Sequence, residues 1–390
     1  MYMFTCRDDF QSVQQLQTKD VALCVDAAYK LQQLGPQFTM AQKRILVIGG
    51  TGAQGFAVVK ALVEAKDPFT VRVLSRNPDS ADVKETFKNY PQVELVKGSF
   101  MDFDSVERAL QDCYGVFVNT DGFTVNEPDE LWAGVRIFEI ANTIPTLRHF
   151  VYSSIDYYLR LTNFDHRYAA HHTNGKGRVH TYLDGMTSPA HPDSKLVWST
   201  IVTGPYNEDL IGGPCVPRIA ADGTRVFRFP LGDGYFPFMT LQDCGAFALH
   251  MFQNREEWSG KTLLATSHFS SGKEIAETLS RVAGVKARYE NITVQEWVDT
   301  LPYANAPVSS MYPDGITVGQ NFSMWWTGFA NSILKNVGTR DLVEMKRINP
   351  NLQSLEDWIR ESKWDGIARQ VLKGFKDGGI TAEMQQLKAE

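Results

Sequence analysis

From Arg44 onward the apolar positions fall into short unbroken runs separated by stretches of helical period. Residues 45–48 (Ile-Leu-Val-Ile) are the kind of run that a parallel sheet buries on both faces. A glycine-rich turn comes next, and residues 56–64 then read as a helix. Further strands are predicted at 70–74, 93–96, 116–118, 149–152 and 196–202. Helices are predicted at 105–110, with Ser105 near the N-cap, and at 131–142. Strands alternating with helices argue for an α/β fold, a right-handed, doubly wound parallel sheet of Rossmann type. Beyond residue 155 the pattern loosens. Residues 160–195, rich in His, Asn, Gly and Pro, predict a long loop with one helix. Residues 205–390 mix short strands, aromatic loops and helices, as a smaller mixed α/β lobe over the C-terminal edge of the sheet would.

Residues 1–39 are unlike the rest, polar and rich in glutamine. They are expected to be an extension, with Met40 as the natural start. The expected organisation is therefore 1–39 extension, 40–204 dinucleotide-binding domain receiving later strands, and 205–390 substrate or partner lobe. Composition narrows the classes. A chain of 390 residues with 43% hydrophobic content can bury a sizeable core. The net charge of -6, without a Lys/Arg block, argues against direct nucleic-acid binding. No stretch approaches the length of a membrane span, and the first residues lack a secretory pattern. Cys6, Cys24, Cys113, Cys215 and Cys244 are scattered and odd in number, which fits free thiols in a reducing compartment. The cytoplasm is the expected location, with the nucleus left open.

The most informative segment is Gly49-Gly50-Thr51-Gly52-Ala53-Gln54-Gly55, between a strand and a helix. Glycines at this spacing allow a tight turn, approach of backbone to a pyrophosphate, and close helix–strand packing. The helix start then offers N–H groups and a partial positive charge. About twenty residues on, an acid would select NAD. Instead strand two ends Ser75-Arg76-Asn77, and Arg76 can pair with a 2′-phosphate. NADP(H) is the expected cofactor, with NAD as a tolerated alternative. Arg72 is a weaker candidate, because alternation along the strand turns it elsewhere. Ligands of open α/β sheets sit beyond the carboxyl ends of strands. That rule nominates Ser99 and Phe100 near the adenine, Asn119 and Thr120 near the central ribose, and Ser153 and Ser154 near the nicotinamide. Pro205, Tyr206 and Asn207, after the sixth strand, are nominated beside them.

The chain resembles the atypical short-chain dehydrogenase/reductases, and more narrowly the NmrA-like family. The carriers are the glycine segment, Val71-Arg72-Val73-Leu74-Ser75-Arg76-Asn77-Pro78, His172-Thr173-Asn174-Gly175-Lys176-Gly177-Arg178, Thr203-Gly204-Pro205-Tyr206, and Asp357-Trp358. The resemblance covers roughly residues 43–365. It implies a bilobal NADP-binding protein: either a reductase of small metabolites, or a pseudo-enzyme that senses pyridine nucleotides and binds regulatory partners.

Short-chain dehydrogenases pair Tyr with Lys one helical turn later, where the charge lowers the phenol pKa. Here His172 stands at the tyrosine position and Lys176 is retained. Isoflavone-reductase-like enzymes, which this chain also resembles, work with a lysine and no such tyrosine. Lys176 is thus a candidate to hold the nicotinamide ribose or polarise a substrate, and His172 a candidate acid near neutral pH. Tyr157 and Tyr158 come soon after Ser153 and Ser154. Tyr157 is kept as a third catalytic candidate, although Leu161 occupies the place of its lysine. Histidines are dense from His166 to His191, with Asp165, Asp184 and Asp193 nearby, yet no metal-ligand spacing emerges and no metal is expected. The aromatic stretch 227–240 either lines an apolar pocket or packs the lobes together. Trp325, Trp326 and Trp358 read as packing or as a partner surface. Two functions stay open: an NADP-dependent reductase of a small apolar or aromatic metabolite, and a non-catalytic NADP/NAD sensor acting on a protein such as a transcription factor.

Overall fold

A computed structural model describes residues 42–189, 195–331 and 340–369. The expected extension, Met40, Cys6, Cys24, His191 and Asp193 lie outside them. From Lys43 the chain belongs to one compact unit. Seven strands make the main sheet: β1 (Arg44–Ile48), β2 (Thr70–Ser75), β3 (Glu94–Lys97), β4 (Gly115–Val118), β5 (His149–Ile155), β6 (Val197–Thr203) and, after three short strands elsewhere, β10 (Lys261–Leu264). Their spatial order is β10-β6-β5-β4-β1-β2-β3, and every pair is parallel. The seventh strand comes from the region past 205.

The unbroken apolar runs make sense in this setting. Ile45, Leu46 and Val47 in β1 and Val116, Phe117 and Val118 in β4 are all fully buried, because helices cover both faces. One face packs against the helices Ala53–Glu64 and Leu241–Gln253, and the other against Phe103–Leu110, Glu127–Thr143 and His171–Asp184. The helix Leu241–Gln253 lies close on Ala53–Glu64, since a Cβ at Gly245 would come within 2.5 Å of the Ala57 carbonyl oxygen. Two predicted starts move. Asp102, not Ser105, caps the helix Phe103–Leu110: its side chain accepts the Ser105 N–H, while the Ser105 hydroxyl donates back to the Asp102 carbonyl at 2.7 Å. The helix Glu127–Thr143 begins four residues before the apolar pattern, because Asn126 caps it and Pro128 fits its first turn.

The remaining strands form two small sheets. β7 (Arg218–Ile219), β8 (Arg225–Arg228) and β12 (Ala287–Glu290) make one, and β9 (Phe236–Phe238) with β11 (His268–Ser270) the other. Here the aromatic stretch resolves as core. Phe227, Phe229, Phe236 and Phe238 are buried and pack among Trp297, Trp325, Trp326, Trp358 and Trp364. Phe229 stacks on Trp326 at 5.6 Å. Tyr235, at a turn of this stretch, is exposed. Arg340 and Asp156 form an almost fully buried ion pair at 2.8 Å, and Arg340 Nε also donates to the Ala265 carbonyl. That pair fixes the chain near Leu342–Ile348 to the end of β5. No described helix is long and apolar enough to cross a membrane.

Candidate functional site

The sheet order reverses between β1 and β4: the chain runs outward through β2 and β3, then crosses to β4 and proceeds the other way. A crevice opens beyond the carboxyl ends of strands at such a switch point. The glycine turn stands there. Gly49 takes a left-handed φ of 83° and lies against the Asn119 carbonyl, where a Cβ would come within 2.5 Å. Gly52 caps the helix Ala53–Glu64 without a side-chain bond, and the first turn carries no acid. A Cβ at Gly52 would meet nothing nearer than the Gly49 carbonyl oxygen at 3.4 Å. The helix start is therefore open to an anion. Gly55 differs, because its Cβ would run into the Gly49 and Gly50 backbone.

Gln54 turns inward. Its Nε2 donates to Ser153 Oγ at 2.8 Å, and that hydroxyl donates back to Oε1. Gln54 and Ser153 thereby join the glycine helix to β5 instead of facing the crevice. Ser75 is buried and its carbonyl accepts the Gly98 N–H. Arg76 and Asn77 are exposed beyond it, and Arg76 has no ion pair among the described residues. Arg72 is spent on Glu94 at 2.9 Å and on the Ala109 and Gln111 carbonyls. The Ser99 hydroxyl accepts the Met101 N–H and shapes the turn that carries Phe100. Asn207 is fully buried, with Oδ1 on His268 Nε2 at 3.0 Å, and Pro205 and Tyr206 run beside β9.

Lys176 is the centre of the polar site. Its Nζ donates to the Thr120 carbonyl at 2.6 Å, to Thr120 Oγ1 at 3.0 Å and to Asn119 Oδ1 at 3.3 Å. It also pairs with Glu130 Oε1 at 3.0 Å. The Glu130 side chain is wholly buried, and its second oxygen has no partner among the described residues. Nothing in the sequence pointed to Glu130. In hindsight the signal is the glycine at 175: a Cβ there would come within 2.5 Å of Glu130 Oε2, so Gly175 lets the helix His171–Asp184 sit directly on this carboxylate. Ser154 Oγ bonds the Lys176 carbonyl.

His172 lies one turn before Lys176 on the same helix face. Its ring stacks on Phe123 at 5.3 Å and packs against Phe322 at 5.5 Å and Trp325 at 6.3 Å. Burial pushes its pKa down to about 4. That direction works against the expected role of an acid near neutral pH. Tyr157 is carried elsewhere: its ring fills the space beside Gly177, its hydroxyl is buried without a partner among the described residues, and burial raises its pKa. Tyr158 is core, packed on Phe329. Among the described residues no group of three or more His, Cys, Asp or Glu is arranged to hold a metal ion.

Known proteins share this architecture. An NmrA-like family domain-containing oxidoreductase of Aspergillus flavus is 29% identical over 282 residues, spanning 66% of this chain and 78% of its own. Among solved structures, NmrA, a negative transcriptional regulator seen in complex with NADP, superposes with a TM-score of 0.62 at 17% identity, covering 82% of this chain and 95% of its own. An NADPH-dependent quinone oxidoreductase of Escherichia coli complexed with NADPH gives 0.60 at 16% identity, covering 82% and 100%. The model of the NmrA-like family matches residues 41–318. That match spans well over half of the chain, and the chain belongs to the NmrA-like family.

Proposed function

We propose that the protein binds NADP(H) across the switch-point crevice and reduces a small apolar or aromatic metabolite. The observation that carries this reading is the placement of Lys176 beside the open glycine cradle, with a half-buried imidazole and aromatic rings one turn away. Backbone of Gly49 to Gly55 would hold the pyrophosphate, Arg76 the 2′-phosphate, and Asn119, Thr120 and Lys176 the nicotinamide ribose. When bound, the reduced nicotinamide supplies a hydride equivalent. Lys176 orients by hydrogen bonding and contributes positive charge. Phe123 and the aromatic wall exclude water on the substrate side. The oxidoreductase relatives support the reading, as do the cofactors held by the solved neighbours.

A second reading is a pyridine-nucleotide sensor that acts on a regulatory protein. It is favoured by the ammonium of Lys176, already surrounded by four oxygen acceptors, and by the regulator NmrA among the structural neighbours. Parallel calorimetric titration with NADPH, NADP⁺ and NAD⁺ separates the two. Preference for NADPH supports the reductase. Tighter binding of oxidised forms, or equal NAD⁺ and NADP⁺, supports the sensor. Absence of binding overturns both.

A further inference from the structure

The hydrogen bonds of His172 define which ring nitrogen carries the proton. Asn321, on the helix Val318–Ala330 and wholly buried, faces it with both ends of its amide. Its Oδ1 accepts the His172 backbone N–H at 3.5 Å, and its Nδ2 lies 2.8 Å from His172 Nδ1. A backbone N–H can only donate, so the oxygen must face it. The amide nitrogen then faces Nδ1, and because that nitrogen donates, Nδ1 must accept. The proton is left on Nε2. For Nε2 there is no hydrogen-bond partner among the described residues, and His172 as a residue is only partly buried. The groups around the ring reinforce a neutral state. Phe123, Phe322 and Trp325 pack against it, and the charged or titratable groups acting on it, His171 and Lys176 of its own helix, both disfavour the cation.

We infer that His172 is a neutral Nε2–H donor, locked in that tautomer by Asn321, which recognises a planar ring bearing an acceptor oxygen such as a carbonyl. The ring of the ligand would lie along the exposed Phe123, 45% accessible, and its oxygen would take the Nε2 hydrogen bond. His172 polarises that oxygen and keeps its proton. Any reduction of the bound ligand rests on the reductase reading, whereas the tautomer and the ligand class stand without it. Asn321 is a positioning residue, acting through His172.

The test has two arms on the full chain. Nitrogen-15 NMR of histidine-labelled protein reads the tautomer: His172 is expected neutral with the proton on Nε2 at neutral pH, and Asn321→Asp is expected to move the proton to Nδ1 or make the ring cationic. Quenching of tryptophan fluorescence reads recognition, with 1-indanone and indane as probes of equal shape. The ketone should bind about tenfold more tightly than the hydrocarbon, and His172→Phe, which keeps the stacking surface, should erase the difference. A proton on Nδ1 in the wild type, equal binding of the two probes, no binding of either, or a preference that survives His172→Phe would each overturn the inference. Failure of NADPH to bind with these results intact would instead overturn only the proposed reductase.

Discussion

The glycine end of the crevice is made of backbone from one continuous segment, Gly49 to Gly55. The His172 end is assembled from three segments distant in sequence: Phe123 after β4, His172 on its helix, and Asn321 with Phe322 beyond residue 317. In the proposed function the first works through N–H groups and absent side chains, so substitutions there would act sterically. The second works through ring stacking and one fixed proton, so its chemistry depends on packing supplied by the rest of the chain. Lys176 joins the two, with its ammonium on the β4 carboxyl end and its helix turn beneath His172. The difference teaches that the same crevice can have one end written locally and the other decided by long-range contacts.

Substitutions can break this comparison, and the glycine end should give the largest response. Gly52→Val brings its Cβ no nearer than 3.4 Å to the Gly49 carbonyl oxygen, so thermal stability should be retained while NADPH affinity falls by roughly a hundredfold or more, as lost charge-assisted bonds to phosphate imply. Calorimetry with a thermal melt checks it, and retained affinity would remove the pyrophosphate from this turn. Next comes the junction. Glu130→Ala strips a buried counter-charge from Lys176 and should cost about 3 kcal/mol in urea unfolding, while Glu130→Ala with Lys176→Met should recover part of that loss. An additive double variant would show the pair to be uncoupled.

Arg76→Glu should weaken NADP by about tenfold to a hundredfold and leave NAD nearly unchanged. Equal losses would contradict the 2′-phosphate assignment. The smallest effect is expected away from both ends. Burial raises Glu208 from 4.5 to about 7 and Asp209 from 3.8 to about 7. Acids with raised folded pKa stabilise fully below their unfolded values, and that contribution is lost as pH rises to about 7. The melting temperature of Glu208→Gln should therefore rise relative to that of the wild type between about pH 4 and pH 7. An unchanged slope in the variant would show that Glu208 does not contribute.

Legibility divides along the same line. The strands read directly because both faces of a parallel sheet are buried, leaving unbroken apolar runs such as Ile45 to Ile48. Capping residues were harder: Asp102 and Asn126 hold helix starts that no apolar period marks. Gln54 and Ser153 stand next to the cradle, but their side chains bond each other, which strand-end position alone does not reveal. The aromatic stretch at 227–240 carried two readings that hydrophobicity alone does not separate, and burial of its four phenylalanines decided for packing.

By itself the sequence determined the alternating fold, the glycine turn and the spacing of His172 and Lys176, since each depends on residues near one another in the chain. Only the tertiary structure brought Glu130 under Lys176, turned Tyr157 away beside Gly177, and set Asn321 against His172. Those are contacts between distant segments. A buried charge, a ring and an amide acquire their protonation and direction from whatever surrounds them, and local sequence does not say what that is.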